Sequence, residues 1–348
     1  MIPSLTFCWI LDSGGAGRGA WQGGLIYELM LWAREHGCSP HISMGASAGG
    51  YAAADVCTET EATVMKGWTH WGRERFRAKA EVPPEHHSFW GRGEFRLHLR
   101  SSIQYVMGAG EVAAVFNRRP GKKLLIFTTR LRRRDDKPIT KADITRYFLK
   151  SLTRKLPRSL KYLPRIYHED PIIFAAPLPD ALQSEWVRPL TRENYHSVIE
   201  ASCLVPLAMG FPLLPHEINH GAAGVPGDTN AVFLDGGFAM KMPMALFDED
   251  TRFQPVARWA SAHKTLVFCC DPKGRLWETS SRMRMLNSTP SVKEAICGRR
   301  LMIICPDHKV EASFLSRDNQ VIMRTFRRGQ EQAGRLLQSK EFRRFVEE

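Results

Sequence analysis

The chain has 348 residues, of which 43% are hydrophobic and 24% are charged, and these are ordinary values for a globular protein. This composition excludes a disordered tail protein, a coiled coil and a collagen-like fibre. The 49 Lys and Arg exceed the 36 Asp and Glu, so the formal net charge is +13, which suggests an anionic partner such as nucleic acid, an acidic membrane or a phosphate-bearing substrate.

The positive charge is concentrated in one segment. Residues 118–165 contain 17 Lys and Arg and 3 Asp, a formal charge of +14, whereas the rest of the chain sums to −1. The basic character is therefore expected to belong to this segment and not to the fold as a whole.

The N-terminus predicts the start of a parallel sheet. Residues 5–11 form a nearly continuous apolar run, which is typical of a strand buried on both faces. A glycine-rich turn is predicted at residues 12–19, followed by a helix over residues 20–36 with Gly37 as its C-cap. The first residues lack the basic region of a signal peptide, and no apolar stretch is long enough to span a membrane. We therefore expect a cytoplasmic protein that could also bind peripherally to membranes.

A second strand is predicted at residues 41–44, and it runs into a sharp turn of small residues. The turn is Gly45-Ala46-Ser47-Ala48-Gly49, the Gly-x-Ser-x-Gly pattern of a nucleophile elbow. That pattern needs small neighbours because the serine is pinched between a strand and a helix. A helix of small residues is predicted at residues 50–56.

Further buried strands are predicted downstream, and part of a C-terminal helix at residues 329–337. The strand candidates are residues 124–129, 171–176, 231–234, 265–270 and 301–305. Short apolar strands separated by helical stretches indicate a layered α/β fold with a mainly parallel sheet.

The glycine-rich segment predicts an anion-binding loop, because its backbone N–H groups precede a helix. Its anion could be a nucleotide phosphate, a substrate phosphate or the oxyanion of an acyl-transfer intermediate. The G-x-G-x-x-G spacing of a dinucleotide site and the Gly-Lys-Ser/Thr ending of a P-loop are both absent. A tight turn without any ligand remains the alternative.

An Asp-Gly-Gly sequence begins at Asp235, directly after the apolar run at residues 231–234. Asp-Gly alone is a common turn signal. Side chains at the carboxyl ends of strands nevertheless collect at the active edge of open α/β sheets. Asp235 could therefore act as a general base for Ser47.

These three elements, in this order, resemble the patatin-like phospholipase family. That family has a G-G-G-x-[RK]-G loop after its first strand, a G-x-S-x-G elbow and a downstream D-G-[GA] motif. Here they stand at residues 14–19, 45–49 and 235–237, with supporting matches at residues 20–25, 201–206 and 211–212. The resemblance covers about residues 5–245.

The resemblance implies a lipid acyl hydrolase, of phospholipase A or lysophospholipase type, with a three-layer α/β/α fold. Ser47 would be the nucleophile and Asp235 its base, with no catalytic histidine, no metal and no cofactor. The elbow would depend on Gly45 and Gly49, and the Asp turn on Gly236 and Gly237. The oxyanion hole would be built from the loop residues Gly14, Gly15, Ala16, Gly17, Arg18 and Gly19.

Two positions depart from the family pattern. Ala16 replaces the usual third glycine, which would strain the loop if that position needed a positive φ. Lys241 stands where many members carry Asn. Arg18 could steer a phosphate head group or simply help to order the loop.

The basic segment predicts an amphipathic helix. Residues 140–143 resemble a capping box, and apolar residues then recur every four positions from Ile144 to about residue 156. The basic side chains Arg146, Lys150 and Arg154 recur on the other face. Such a helix either binds an anionic membrane surface or packs its apolar face on the body. Residues 5–248, including this segment, are expected to form the catalytic region, which residues 249–348 complete.

Two alternative functions stay open. An α/β-hydrolase esterase would add His263 or His308 to Ser47 and Asp235 as a triad. A protein without enzymatic activity could use residues 118–165 to bind an anionic membrane or nucleic acid, although zinc-finger and RNP-type motifs are absent.

Overall fold

The computed structural model describes residues 6–59, 61–73, 94–117, 121–152, 166–206, 208–219, 225, 227–243, 252–274, 276, 300–312, 316 and 318–347. Within them, eight strands form one sheet: β1 Phe7–Leu11, β2 Ile42–Ala46, β3 Lys123–Arg133, β4 Tyr167–Ala176, β5 Val187–Pro189, β6 Val232–Asp235, β7 Lys264–Phe268 and β8 Arg300–Ile304. The strand order is β5-β4-β3-β2-β1-β7-β8, and β6 pairs with β3.

The sheet is mainly parallel. β1 pairs in parallel with β2 and β7, β2 with β3, β4 with β5, and β7 with β8. β4 and β6 are antiparallel to β3. The central strands β1, β2 and β7 are buried along their whole length, as expected for mostly apolar strands inside a parallel sheet.

Helices cover the sheet. Within the described residues they are α1 Gly15–Glu35, α2 Ala48–Cys57, α3 Glu61–Arg73, α4 Glu94–Val106, α5 Ala109–Phe116, α6 Lys141–Leu152, α7 Tyr195–Cys203, α8 Pro215–Asn219, α9 Gln254–Trp259, α10 Asn319–Gln338 and α11 Lys340–Glu347.

Alternate residues of the strands divide the core into two layers. Trp9 and Leu11 of β1 join the cluster that contains α1, α2, α3, α4, α7 and α10, whereas Cys8 and Ile10 join a smaller cluster with α9. This division follows from the twofold side-chain period of a strand. The predicted three-layer α/β/α architecture is confirmed.

One local prediction is corrected. The glycine-rich segment is not a free turn before the first helix: α1 already begins at Gly15, so residues 15–19 form its first turn. The sheet is mainly parallel, as predicted, and the Asp235 strand, β6, is antiparallel to β3. The short strand β5 has no clear signal in the sequence.

The described part of the basic segment packs on the body. The Thr140 hydroxyl accepts a hydrogen bond from the Asp143 N–H (3.2 Å), and the Asp143 carboxylate accepts one from the Thr140 N–H (3.0 Å), which confirms the capping box. Ile144 and Tyr147 are buried, and Tyr147 contacts Phe238 with ring centroids 5.7 Å apart. The apolar face of α6 is therefore covered by the protein itself.

Part of the positive charge of residues 118–165 is buried in β3. Arg130 is fully buried and forms ion pairs with Asp170, Glu185 and Asp228. Arg132 also pairs with Asp170. These acidic residues come from later in the chain, so the segment's excess charge is partly neutralised by folding. Of the three proposed membrane-binding residues, Arg146 is exposed, the Lys150 backbone lies in α6, and Arg154 falls outside the described residues.

Candidate active site

Two strands meet end to end beside β3 and bring Ser47 and Asp235 together. β2 pairs with the first half of β3, where Ala46 lies opposite Phe127. β6 runs in the opposite direction along the second half, where Asp235 lies opposite Thr128. Phe127 and Thr128 are consecutive, so the last residues of β2 and β6 adjoin. The antiparallel direction of β6 is what makes this meeting possible.

Ser47 has the backbone of a strained elbow. Its φ of 56° and ψ of −132° are unusual for a residue with a side chain. It is the N-cap of α2, and it is 3% exposed. A Cβ at Gly49 would lie 2.2 Å from the Leu11 carbonyl oxygen, so glycine is needed there for α2 to approach β1. The nucleophile-elbow prediction therefore has the expected local geometry.

The Asp235 turn is held by its own backbone and by β3. The Gly237 N–H donates to the Asp235 carboxylate (2.7 Å). The Thr129 hydroxyl donates to the Asp235 carbonyl oxygen (2.8 Å) and accepts from the Ala239 N–H (2.9 Å). A Cβ at Gly236 would lie 2.1 Å from the Phe127 carbonyl oxygen. The two glycines therefore allow the turn to pack directly on the sheet.

The Ser47 side chain is a hydrogen-bonding neighbour of the Asp235 carboxyl group and lowers its pKa. Burial raises the pKa of Asp235 to about 7, against the opposing effects of the Ser47 and Gly237 hydrogen bonds. A carboxyl group in this range exchanges protons near neutral pH. The pair can therefore take a proton from a hydroxyl and return it.

The N-terminus of α1 lies at the same site. Gly14 is its N-cap with no side-chain cap, the first turn contains no acidic residue, and Gly15 lines the pocket that also contains Ser47. Unpaired N–H groups at a helix N-terminus attract an anion. The positive φ of 63° falls on Gly15. Ala16 is already helical, so its departure from the family pattern falls where alanine is favoured.

A buried carboxyl group lies behind this helix N-terminus. Asp12 is 2% exposed, and one of its oxygens accepts from the Cys270 N–H (3.0 Å). Burial raises the pKa of Asp12, and the nearby positive charge of Lys241 opposes that effect. Lys241, the second departure from the family pattern, therefore provides a charge that balances Asp12. Its carbonyl oxygen also accepts a hydrogen bond from the Ser13 N–H (3.4 Å).

Ser47 opens into an apolar pocket of about 660 Å³, a volume that includes the pocket mouth. The wall is formed by residues of α2, α3, α4 and α7 and of the chain that follows α7. It is lined by Gly15, Ser47, Ala48, Tyr51, Gly67, Trp68, Trp71, Phe95, Leu99, Ser102, Cys203, Val205 and Met209. Such a wall suits a hydrocarbon chain. Residues 61–73 and 94–106, which form α3 and α4, carried no functional signal in the sequence.

Ser202 is a site residue that sequence reasoning did not single out. It is fully buried, its hydroxyl accepts from the Ser47 N–H (3.0 Å), and it donates to the Phe127 carbonyl oxygen (2.7 Å). One hydroxyl thus ties the elbow to β3. Ser202 lies in residues 201–206, a segment that resembles the family pattern, and this resemblance is the sequence feature by which it could have been found.

Neither candidate triad histidine is bonded to Ser47 or Asp235. His263 bonds Thr6 at the opposite edge of the sheet, before β7 begins (2.9 Å). His308 follows β8 and pairs with Asp307. Arg18 is exposed on the first turn of α1, where its side chain is accessible to a ligand.

An elbow serine beside a buried carboxyl group and a helix N-terminus is the arrangement expected of a serine ester hydrolase. The family model described as Patatin-like phospholipase matches residues 10–248. The chain belongs to the patatin-like phospholipase family, which acts on lipid esters. A search of curated proteins finds no match. Among the described residues, no helix has the length and apolar character needed to cross a membrane.

Proposed function

We propose that the protein hydrolyses carboxylic esters of phospholipids, or of related acyl lipids, through an acyl-serine intermediate. The observation that carries this proposal is the placement of Ser47, on a strained elbow, beside the buried Asp235 carboxyl group, whose pKa is raised to about 7. The apolar pocket supports an acyl substrate, and the family supports the lipid class.

In the acylation step, the Ser47 oxygen attacks the ester carbonyl carbon while its proton passes to ionised Asp235. The negative charge that develops on the carbonyl oxygen is held by N–H groups at the start of α1, around Gly15. The tetrahedral intermediate collapses, the bond to the leaving alkoxide breaks, and Asp235 returns the proton to that oxygen. The products are an alcohol or lysolipid and acyl-Ser47.

In the deacylation step, ionised Asp235 takes a proton from a water molecule, and the hydroxide attacks the acyl carbon. The same N–H groups hold the second oxyanion. Collapse breaks the bond to Ser47, which regains the proton from Asp235, and a fatty acid is released. Each proton taken is returned, so the residues need no other reactant than water.

Ser202 is proposed as a positioning residue for this chemistry. Because the Ser47 N–H already donates to the Ser202 hydroxyl, it is not available to hold the oxyanion. The charge is therefore assigned to the start of α1 and to the Ala48 N–H, which follows the nucleophile as in other elbows. The Ser202 bridge keeps the elbow in its strained conformation, which aims the Ser47 side chain at Asp235.

An anionic membrane surface is the proposed site of action. The apolar face of α6, which includes Ile144 and Tyr147, is buried against the rest of the protein, so the docking contact is assigned to the exposed basic side, including Arg146. Electrostatic attraction of this kind weakens with salt. Nucleic acid is a poorer fit, because Arg130 of the same segment is fully buried and most of the Arg132 side chain is buried in its ion pair with Asp170.

The two parts of the chain on either side of residue 248 are proposed to form one catalytic unit. β7, from the second part, lies between β1 and β8. α10 packs so closely on α1 that a Cβ at Gly24 would lie 1.8 Å from the Phe326 carbonyl oxygen. The helix that carries the proposed oxyanion groups is therefore supported by the C-terminal part.

The test compares the wild type with Ser47→Ala and Asp235→Asn on vesicles of a phospholipid labelled in its acyl chains. We expect fatty acid release by the wild type, and a loss of at least about 10³-fold in both variants, since residues acting as one unit fail together. A fluorophosphonate probe should form an adduct on Ser47 in the wild type.

The control variants are His263→Ala and His308→Ala, which should retain hydrolysis if the dyad assignment is right. Equal fatty acid release by the wild type and both dyad variants would refute the proposal. A selective loss in either histidine variant, with the fold intact, would replace the dyad with a triad.

A further inference from the structure

An accessible hydroxyl group lies beside the Asp235 carboxyl group. It belongs to Ser13, which lies between the end of β1 and the N-cap of α1. Ser13 is partly exposed, and no described residue is hydrogen-bonded to its hydroxyl group. The Ser13 oxygen is not one of the buried side-chain atoms that lack a partner, so a molecule as small as water can reach it.

The position of Gly237 shows how close this hydroxyl group is to Asp235. A Cβ built on Gly237 would lie 2.5 Å from the Ser13 Oγ and 2.9 Å from the Asp235 Oδ1. The two oxygens therefore lie no farther apart than the sum of these two distances. One water molecule, which forms hydrogen bonds of about 2.8 Å, can bridge two oxygens up to about 5.6 Å apart. The Ser13 and Asp235 oxygens are thus within reach of a single bridging water.

The backbone of Ser13 is fixed to the segment that carries Asp235. The Ser13 N–H donates to the carbonyl oxygen of Lys241, which follows the Asp235 turn (3.4 Å). The neighbouring Asp12 N–H donates to the Phe268 carbonyl oxygen at the end of β7 (3.1 Å). These hydrogen bonds hold the Ser13 backbone in one position relative to Asp235.

The Ser13 hydroxyl group belongs to the polar end of the site. Ser47 and Gly15 line the apolar pocket, whereas Ser13 and Asp235 do not. An acyl chain bound in the pocket would therefore leave the Ser13 hydroxyl and the Asp235 carboxyl group uncovered by hydrocarbon. A water molecule between them would lie at the end where the ester group reacts.

We propose that Ser13 and Asp235 together hold the water molecule that hydrolyses acyl-Ser47. The water donates one hydrogen to the Asp235 carboxylate and the other to the Ser13 Oγ, which leaves a lone pair of the water oxygen for attack on the acyl carbon. Asp235 takes the first proton as the new C–O bond forms, and Ser13 keeps its own proton throughout. This inference rests on the proposed function, because it assigns a residue to the deacylation step.

The two steps of the reaction should depend differently on Ser13. A nitrophenolate leaving group needs no proton from Asp235, so acylation by a nitrophenyl ester does not use the bridging position. Deacylation does use it, because a water molecule is held only by its hydrogen bonds and must be oriented for attack. Loss of the Ser13 hydroxyl should therefore affect mainly the second step.

The experiment measures the two steps separately. The kcat/KM for nitrophenol release reports acylation, and the decay of acyl-Ser47 is followed by intact-protein mass after rapid mixing with a limiting amount of the nitrophenyl ester. Ser13→Ala should slow this decay about 10- to 100-fold relative to the wild type, as expected when a hydrogen bond that positions a reacting group is lost. The kcat/KM should fall far less, by no more than about threefold.

Ser13→Thr and Ser13→Val are the matched pair of variants, because their side chains have nearly the same shape and differ in one hydroxyl group. The threonine variant should restore most of the decay rate that the valine variant loses. Equal decay in the two variants, unchanged decay in Ser13→Ala, or an equal fall in its kcat/KM and decay rate would overturn the inference and leave the proposed function standing. A wild type that forms no acyl-Ser47 would refute both.

Discussion

The raised pKa of Asp235 predicts a measurable effect of pH on stability. The folded protein holds the proton of this carboxyl up to about pH 7, whereas the unfolded chain releases it near pH 3.8. Between those values the folded state binds more protons, so stability falls as pH rises. The full penalty is present above about pH 7 and absent below about pH 4.

The Asp235→Asn substitution should remove this penalty. Asparagine mimics the protonated acid, since its carbonyl oxygen can still accept from the Gly237 N–H. A pKa near 7 in place of 3.8 corresponds to about 4 kcal/mol at high pH. The variant is therefore expected to be more stable by about 2 kcal/mol near pH 5 and by about 4 kcal/mol near pH 7.5.

Urea unfolding at the two pH values measures this gain. The exposed Asp180→Asn variant is the control for removal of a negative charge, and it should show the same small change at both pH values. A gain for Asp235→Asn that does not grow from about pH 5 to about pH 7.5 would refute the reasoning. The matching activity result is a kcat/KM that rises with pH to a plateau, with an apparent pKa near 7, since the base must be ionised.

Two further predictions concern Ser202 and Arg146. Ser202→Ala should lower kcat by about 10- to 100-fold with little change in KM, because the lost hydrogen bond to the Ser47 N–H affects the attack on the ester and not the pocket. Ser202→Thr, which keeps a hydroxyl, should restore part of the rate. A change in KM alone would contradict the positioning role. Arg146→Gln should weaken binding to anionic vesicles, more so at low salt, and spare hydrolysis of a soluble ester. Arg335→Gln, equally exposed and ion-paired, is the matched control, and equal weakening by both variants would show a nonspecific charge effect.

The catalytic motifs could be found in the sequence because each is a local steric requirement. A serine pinched between a strand and a helix needs small neighbours, and the chain has them at residues 45–49. The buried strands were equally visible, since a central parallel strand must be apolar along its whole length. Their observed bounds differ from the predicted ones mostly at the ends, where backbone hydrogen bonds and not side-chain pattern set the limit.

The pocket and its supports were not predictable in the same way. Tyr51, Trp71 and Ser102 come from three helices, and no sequence pattern links them. Ser202 lies in a segment that matched the family, but only the approach of α7 to β2 and β3 gives its hydroxyl two partners. Such contacts join residues far apart in the chain, so their partners are decided by packing.

The charge of the basic segment shows the same division. The sequence by itself determined that residues 118–165 hold a formal charge of +14 and that a capped helix begins near Thr140. Only the tertiary structure decided that Arg130 is buried among Asp170, Glu185 and Asp228. The net charge of a segment is a sum over its sequence, whereas each charge is neutralised by residues that folding brings close to it. In the same way, the sequence determined which residues form the Ser47 elbow and the Asp235 turn. Only the tertiary structure placed the ends of β2 and β6 next to each other and so brought the two residues together.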